Sequence, residues 1–420
     1  MFLSSGLKDK LYYGWVMVFA FWVIGITLYG IHFSFGVFFK SIESEFGLTR
    51  AVTSVILSAN MIIAGVCSFF AGWALERYGP RIVLLLMGLF TGLSLLLTSQ
   101  ADAFWQLFLT HGMLLAMGTG PLFVVSMAAV SRWFDKKRTL ALGVSSSGLG
   151  LGPLVMAPFA TYLISNFDWR TAYIVIGIIA WLVVMPLSRL LKRDPYETGV
   201  LPDGVKTSLE NIGDDHIPSV GFSFLQALQT KSFWLFIVTW FLYASNIFLV
   251  MTHLVPHATD IGFSAVQAAT ILSLIGAAVV AGRILMSVTA DRIGKKVTVV
   301  ICVLLQAGAM IWLMWAQDLW MLYLFALVYG FAFGGVSPAM AALVGDTFGL
   351  GRLGSILGIL EVGFGVGAAV GPVVGGLIFD INHSYFVAFL LGAVAMFAVA
   401  LFVTLIRREM KGNSVNAVSR

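Results

Sequence analysis

Apolar runs of about twenty residues recur along the chain, each closed by a short polar stretch. They cover 13–39, 51–75, 81–99, 104–131, 139–165, 169–191, 232–258, 265–290, 297–316, 319–345, 352–379 and 384–406. A helix of about 20 apolar residues crosses the hydrocarbon core of a bilayer, so the pattern predicts an all-α membrane protein with twelve transmembrane helices. Between the sixth and seventh runs lies KRDPYETGVLPDGVKTSLENIGDDHIPSVG, the one long polar segment. It reads as a linker, 193–230, between two six-helix halves, 1–192 and 231–420.

The halves share a pattern. A shift of 215 residues lays Glu76-Arg77-x-Gly79 on Asp291-Arg292-x-Gly294. It also carries Gly143, Gly148, Gly150 and Gly152 onto Gly358, Gly363, Gly365 and Gly367. One register serving two motifs marks a duplication, and parallel repeats suit a transporter rocking about a midplane site. The glycines strip side chains from the fifth and eleventh helices, letting neighbours approach, and Pro153 and Pro372 add points of bending. Gly148, Gly152, Pro153 and Pro372 therefore read as gating positions, with static packing as the alternative. Glu76-Arg77 and Asp291-Arg292 either latch one face shut through helix-end and charge contacts or serve only to set topology.

Composition narrows the class. Charged residues make up 11% of the chain, against about 25% in soluble domains, which excludes a soluble multidomain protein. The net charge of +5 points to no nucleic-acid partner, because its placement follows the membrane. Of 25 Lys and Arg, Lys40, Arg50 and Arg170 fall in loops of one side, Arg283 falls within a span, and the other 21 share the opposite side. Basic residues favour cytoplasmic loops, so both termini are expected inside. The start, MFLSSGLKDKLYYGW, lacks a small-residue cleavage site, so the first run is expected to remain as a span. The compact loops fit a multi-pass protein of a prokaryotic inner membrane, for which a monomer suffices. Cys67 and Cys302 lie in apolar runs of different halves, an improbable disulfide framework or metal site. GLGLG at 148–152 sits inside an apolar helix, and no phosphate loop, HExxH, CxxC or nucleophile elbow occurs. An enzyme and a cofactor are not expected.

GWALERYGPR and its degenerate copy SVTADRIGKK resemble the loop between helices 2 and 3 of the major facilitator superfamily. WFDKKRTLALGVSSSG at 133–148 resembles the signature that opens helix 5 in its monocarboxylate transporter family. YYGW at 12–15 resembles that family's lead into helix 1, without the acidic residue before the first glycine position. The resemblance implies the major facilitator fold and secondary transport by alternating access. It also implies that Arg283, which matches the family's helix 8 arginine, anchors an anion. Two positions depart: the animal lactate carriers have an aspartate where this chain has Val279, and a lysine where it has Phe33 beside His32. Proton coupling is not inherited from the resemblance.

The intramembrane polar residues carry the remaining chemistry. Eight residues separate Arg283 from Asp291, which sinks the guanidinium about 12 Å below the charged end of its helix. A mid-membrane arginine costs roughly 2.5–3.5 kcal/mol on insertion scales. A substrate carboxylate is a good partner because the guanidinium forks onto both oxygens; a structural salt bridge is the alternative. His253, His32, Asn246 and Tyr329 are further substrate-contact candidates, each with bundle packing as the competing account. Histidine titrates near physiological pH, so His253 is also a proton-coupling candidate. Glu361 is another: it either couples protons, pairs with Arg283, or holds a structural hydrogen bond. Asp346 reads as a gate or loop contact, and His111 as packing.

These readings predict a secondary transporter of small monocarboxylates of the lactate or pyruvate kind, with proton symport as the expected mode. Its partners are then the carboxylate, protons and the bilayer. Organic anion exchange of the oxalate–formate type is the nearest alternative; a second intramembrane base would favour it. A non-transporting anion receptor is the other, and the C-terminal RREMKGNSVNAVSR is short for a signalling tail.

Overall fold

A computed structural model describes residues 12–47, 50–198, 200–203 and 222–407. The first eleven residues, most of the expected linker (204–221) and the tail from 408 lie outside the described residues. Every apolar run is helical. The spans are α1 Tyr13–Phe39, α2 Arg50–Tyr78, α3 Pro80–Thr98, α4 Phe104–Ser131, α5 Arg138–Asn166 and α6 Trp169–Ser188. They continue with α7 Lys231–Asp260, α8 Ala265–Ile293, α9 Lys295–Leu313, α10 Leu319–Phe348, α11 Leu353–Asn382 and α12 Phe386–Leu405. Among the described residues, these twelve are the helices long and apolar enough to cross a membrane.

Local chemistry sets the ends. α2 runs past its apolar stretch because Glu76 and Arg77 stay helical until Gly79, whose φ of 80° only glycine adopts freely. Pro80 then starts α3 at a position where its missing N–H costs nothing. Gly294, with φ of 103°, makes the equivalent turn between α8 and α9. Asp168 caps α6 by accepting Thr171 N, and that hydrogen bond holds its carboxyl below the usual carboxylate range.

Three spans are less regular than their hydropathy. α1 breaks at Ser34, whose hydroxyl donates to Gly30 O. α5 breaks at Ser147, where Ser145, Ser146 and Ser147 all donate back to backbone carbonyls, a habit that bends helices. α4 carries a π-helical turn over Phe108–Leu114, with His111 in it.

α1 lies on α5, α3 on α6, α7 on α11, and α8 on α10. Contacts between the first six spans and the last six run chiefly through α2 with α11 and α5 with α8. The duplicated glycines sit at these crossings. A Cβ at Gly148 or Gly152 would strike the α1 backbone, and one at Gly143 would strike Arg283 O of α8. In the second repeat, Gly363 and Gly367 meet α7, while Gly358 meets Phe69 of α2. The shift of 215 thus pairs equivalent crossings.

Gly152→Ala places a methyl 2.5 Å from Gly30 N, and it is expected to lower the melting temperature of the purified protein. Gly308→Ala in α9 meets nothing within 4 Å, so it should hold or raise that temperature, since alanine is the better helix former by about 1 kcal/mol. A loss at Gly308 equal to that at Gly152 would show that helix approach is not what Gly152 provides.

Candidate functional site

Two related contacts tie the two six-helix sets together at the face where α1 begins and α12 ends. Glu76 is 5% exposed at the end of α2. Its carboxylate accepts Ser355 N at 2.8 Å, in the first turn of α11, and pairs with Arg352 at 3.1 Å. Asp291 at the end of α8 accepts Thr139 N at 2.9 Å and Leu140 N at 2.8 Å, in the first turn of α5. Each acid sits on the positive end of a helix from the other six-helix set, where unpaired N–H groups and the dipole favour an anion. Leu140 and Ser355 are themselves 215 apart. Asp346 of α10 adds a third tie, bridging Arg138 of α5 at 2.6 Å and Lys295 of α9. The basic partners of the motif behave differently. Arg77 lies over the Trp73 and Tyr78 rings of its own helix, and Arg292 is exposed.

A cavity of about 140 Å³ is walled by both six-helix sets. Arg283 is part of its wall and is 1% exposed. Its Nε and Nη1 have no hydrogen-bond partner among the described residues. α8 runs to Ile293, so Arg283 stands about 15 Å from that helix end at 1.5 Å per residue, too deep for its head to reach water along the helix. A buried, unpaired guanidinium donor is costly. A carboxylate entering the cavity would satisfy it.

Glu361 of α11 and His32 of α1 line the same space. Glu361 Oε1 accepts the Trp240 indole N–H at 3.0 Å, and among the described residues no ion pair joins Glu361 to Arg283. His32 Nδ1 lies 3.0 Å from Thr119 Oγ1, whose own hydrogen goes to Leu115 O. The Thr119 oxygen therefore accepts, Nδ1 carries the proton, and Nε2 is the nitrogen of neutral His32 free to take another.

The other sequence candidates do not line this cavity. His253 Nε2 donates to Pro372 O at 2.9 Å, and Nδ1 is 3.4 Å from the Tyr385 hydroxyl. Both ring nitrogens of neutral His253 are thereby engaged. Asn246 Nδ2 donates to the Tyr329 hydroxyl at 3.1 Å in a buried pair between α7 and α10. Pro153 and Pro372 lie inside α5 and α11. Val279 is buried, whereas Phe33 borders the cavity.

Sequence reasoning passed over Tyr29, Trp240 and Tyr243, all in the wall. Tyr29 precedes His32 by three residues, so the two share a helix face. That spacing was the available signal. The Tyr29 hydroxyl is buried without a hydrogen-bond partner among the described residues, and Tyr243 donates to Phe333 O at 3.1 Å.

Known proteins place this architecture. The model of the Major Facilitator Superfamily matches residues 16–315 and 258–419. Monocarboxylate transporter 13 of Bos taurus is 25% identical over 402 residues, covering 94% of this chain and 89% of that protein. Among solved structures, the transporter FucP in the outward conformation superposes with a TM-score of 0.72 at 17% identity, covering 93% of this chain and 99% of that one. The human organic anion transporter MFSD10 does so at 0.67 and 16% identity, covering 93% and 99%. Twelve spans, a duplicated helix-end contact and a central cavity accord with these likenesses: the chain belongs to the Major Facilitator Superfamily and is a multi-pass membrane transporter rather than an enzyme.

Proposed function

We propose that the chain is a proton-coupled symporter of monocarboxylates, with both termini in the cytoplasm of a cell bounded by an inner membrane. The observation that carries this reading is the buried guanidinium of Arg283 in the wall of a central cavity, its Nε and Nη1 without a hydrogen-bond partner among the described residues. A carboxylate would bring one negative charge and acceptor oxygens to a guanidinium that has no ion-pair partner among the described residues. In this reading the two six-helix sets are the rocking halves, and the Glu76, Asp291 and Asp346 contacts close the cytoplasmic side. Glu361 is the proton carrier: an intramembrane carboxyl on the same wall as the anion site marks a relay position. The relatives named monocarboxylate transporters support the substrate class.

Purified protein in liposomes checks this. Labelled monocarboxylate uptake is expected to accelerate when the outside is made acidic, and to collapse when a protonophore dissipates the gradient. Uptake that ignores the pH gradient but requires an internal counter-anion would replace symport with exchange.

A further inference from the structure

Resting on the carboxylate reading, we propose that the preferred substrate is a monocarboxylate bearing an apolar body about the size of a benzene ring, rather than lactate or pyruvate. Phe33, Phe123, Phe248, Phe333, Phe364 and Leu149 line the same cavity as Arg283. The cavity volume, about 140 Å³, is close to that of an engineered apolar cavity of about 150 Å³ that binds benzene.

The polar side chains of the wall are mostly spent on the protein itself. Ser68 donates to Ala64 O, Thr119 to Leu115 O, and Tyr243 to Phe333 O. Trp240 donates to Glu361. What remains for a guest is the Arg283 guanidinium, with Tyr29, His32, Ser337 and Glu361 as the other polar side chains of the wall. A hydroxyl-rich solute would lose its water hydrogen bonds here without replacement. A dicarboxylate would bring a second negative charge to a wall that, among the described residues, offers one arginine and already holds the Glu361 carboxyl. A small polar acid such as lactate would satisfy Arg283 yet leave the aromatic wall uncovered. A phenyl or branched aliphatic body covers it, and each buried methylene contributes about 0.8 kcal/mol, a factor of about four in affinity.

The test is inhibition and direct uptake in proteoliposomes with labelled phenylacetate and labelled lactate, using phenylacetate, 4-methyl-2-oxovalerate, lactate, acetate and succinate as competitors. Phenylacetate and 4-methyl-2-oxovalerate are expected to compete at concentrations about tenfold or more below lactate, with succinate inert. Leu149→Phe, which narrows the cavity, should raise the KM for phenylacetate more than that for lactate. Lactate matching or outcompeting phenylacetate, with Leu149→Phe weakening both equally, overturns this inference while the monocarboxylate reading stands. No monocarboxylate moving or competing overturns both.

Discussion

Arg283→Gln is expected to abolish monocarboxylate uptake while the protein still folds, reconstitutes and melts near the wild-type temperature. The side chain becomes shorter, keeps two N–H donors, and loses its charge and fork. Removing one member of a buried charged hydrogen-bonded pair costs about 2–5 kcal/mol, equivalent to a 30-fold loss of affinity or more. Stability should move the other way if it moves, because wild-type Arg283 is 1% exposed with Nε and Nη1 unpartnered among the described residues, and glutamine carries no charge to desolvate. Arg283→Lys should recover part of the flux, since it restores the charge without the planar fork. Uptake assays beside melting curves separate the two outcomes. A large fall in melting temperature for Arg283→Gln would mean that the guanidinium holds the bundle together.

The second large effect is at Glu361. Glu361→Gln keeps an acceptor for the Trp240 indole, which donates to Glu361 at 3.0 Å, so the local packing has what it needs. It removes the one acid that lines the cavity among the described residues. Uptake driven by an acidic exterior should fall by about tenfold or more, a change of at least 1.4 kcal/mol in the coupling. Exchange of internal for external substrate, which needs no net proton movement, should suffer far less. The sign is fixed by the mechanism: a carboxyl that loads a proton outside and releases it inside speeds uptake as external pH falls, and an amide cannot. If exchange and driven uptake decline in parallel, Glu361 serves binding or packing, and the proton travels elsewhere, with His32 as the next group to vary.

How much of this could be read from the chain depends on where each signal resides. Helix number, helix ends and the repeat are local or periodic, and hydropathy with Gly79, Pro80 and Gly294 carries them. Arg283 was legible because one charge in a long apolar run is costly without a reason. The partners of Glu76 and Asp291 were hidden. They are backbone N–H groups of Ser355, Thr139 and Leu140, and no residue type announces a helix start offered across a domain boundary. The same limit applies to His253, whose partners Pro372 and Tyr385 come from more than a hundred residues away. Asn246 and Tyr329 each look like free polar groups in sequence, and in space they face one another. Tyr29, Trp240 and Tyr243 were obscured for another reason. In a chain with 57 aromatic residues (34 Phe, 12 Trp and 11 Tyr), a ring in a span carries almost no information until its neighbours are known.

The claim on which the rest depends concerns an anion and one side chain, and equilibrium binding reaches it without the complications of flux. Labelled phenylacetate and lactate titrated onto purified wild-type protein should each show one saturable site that Arg283→Gln lacks. The Glu361→Gln variant should keep that site. Equal binding to wild-type protein and Arg283→Gln would place the carboxylate somewhere other than the buried guanidinium, and the proposed transport chemistry would go with it.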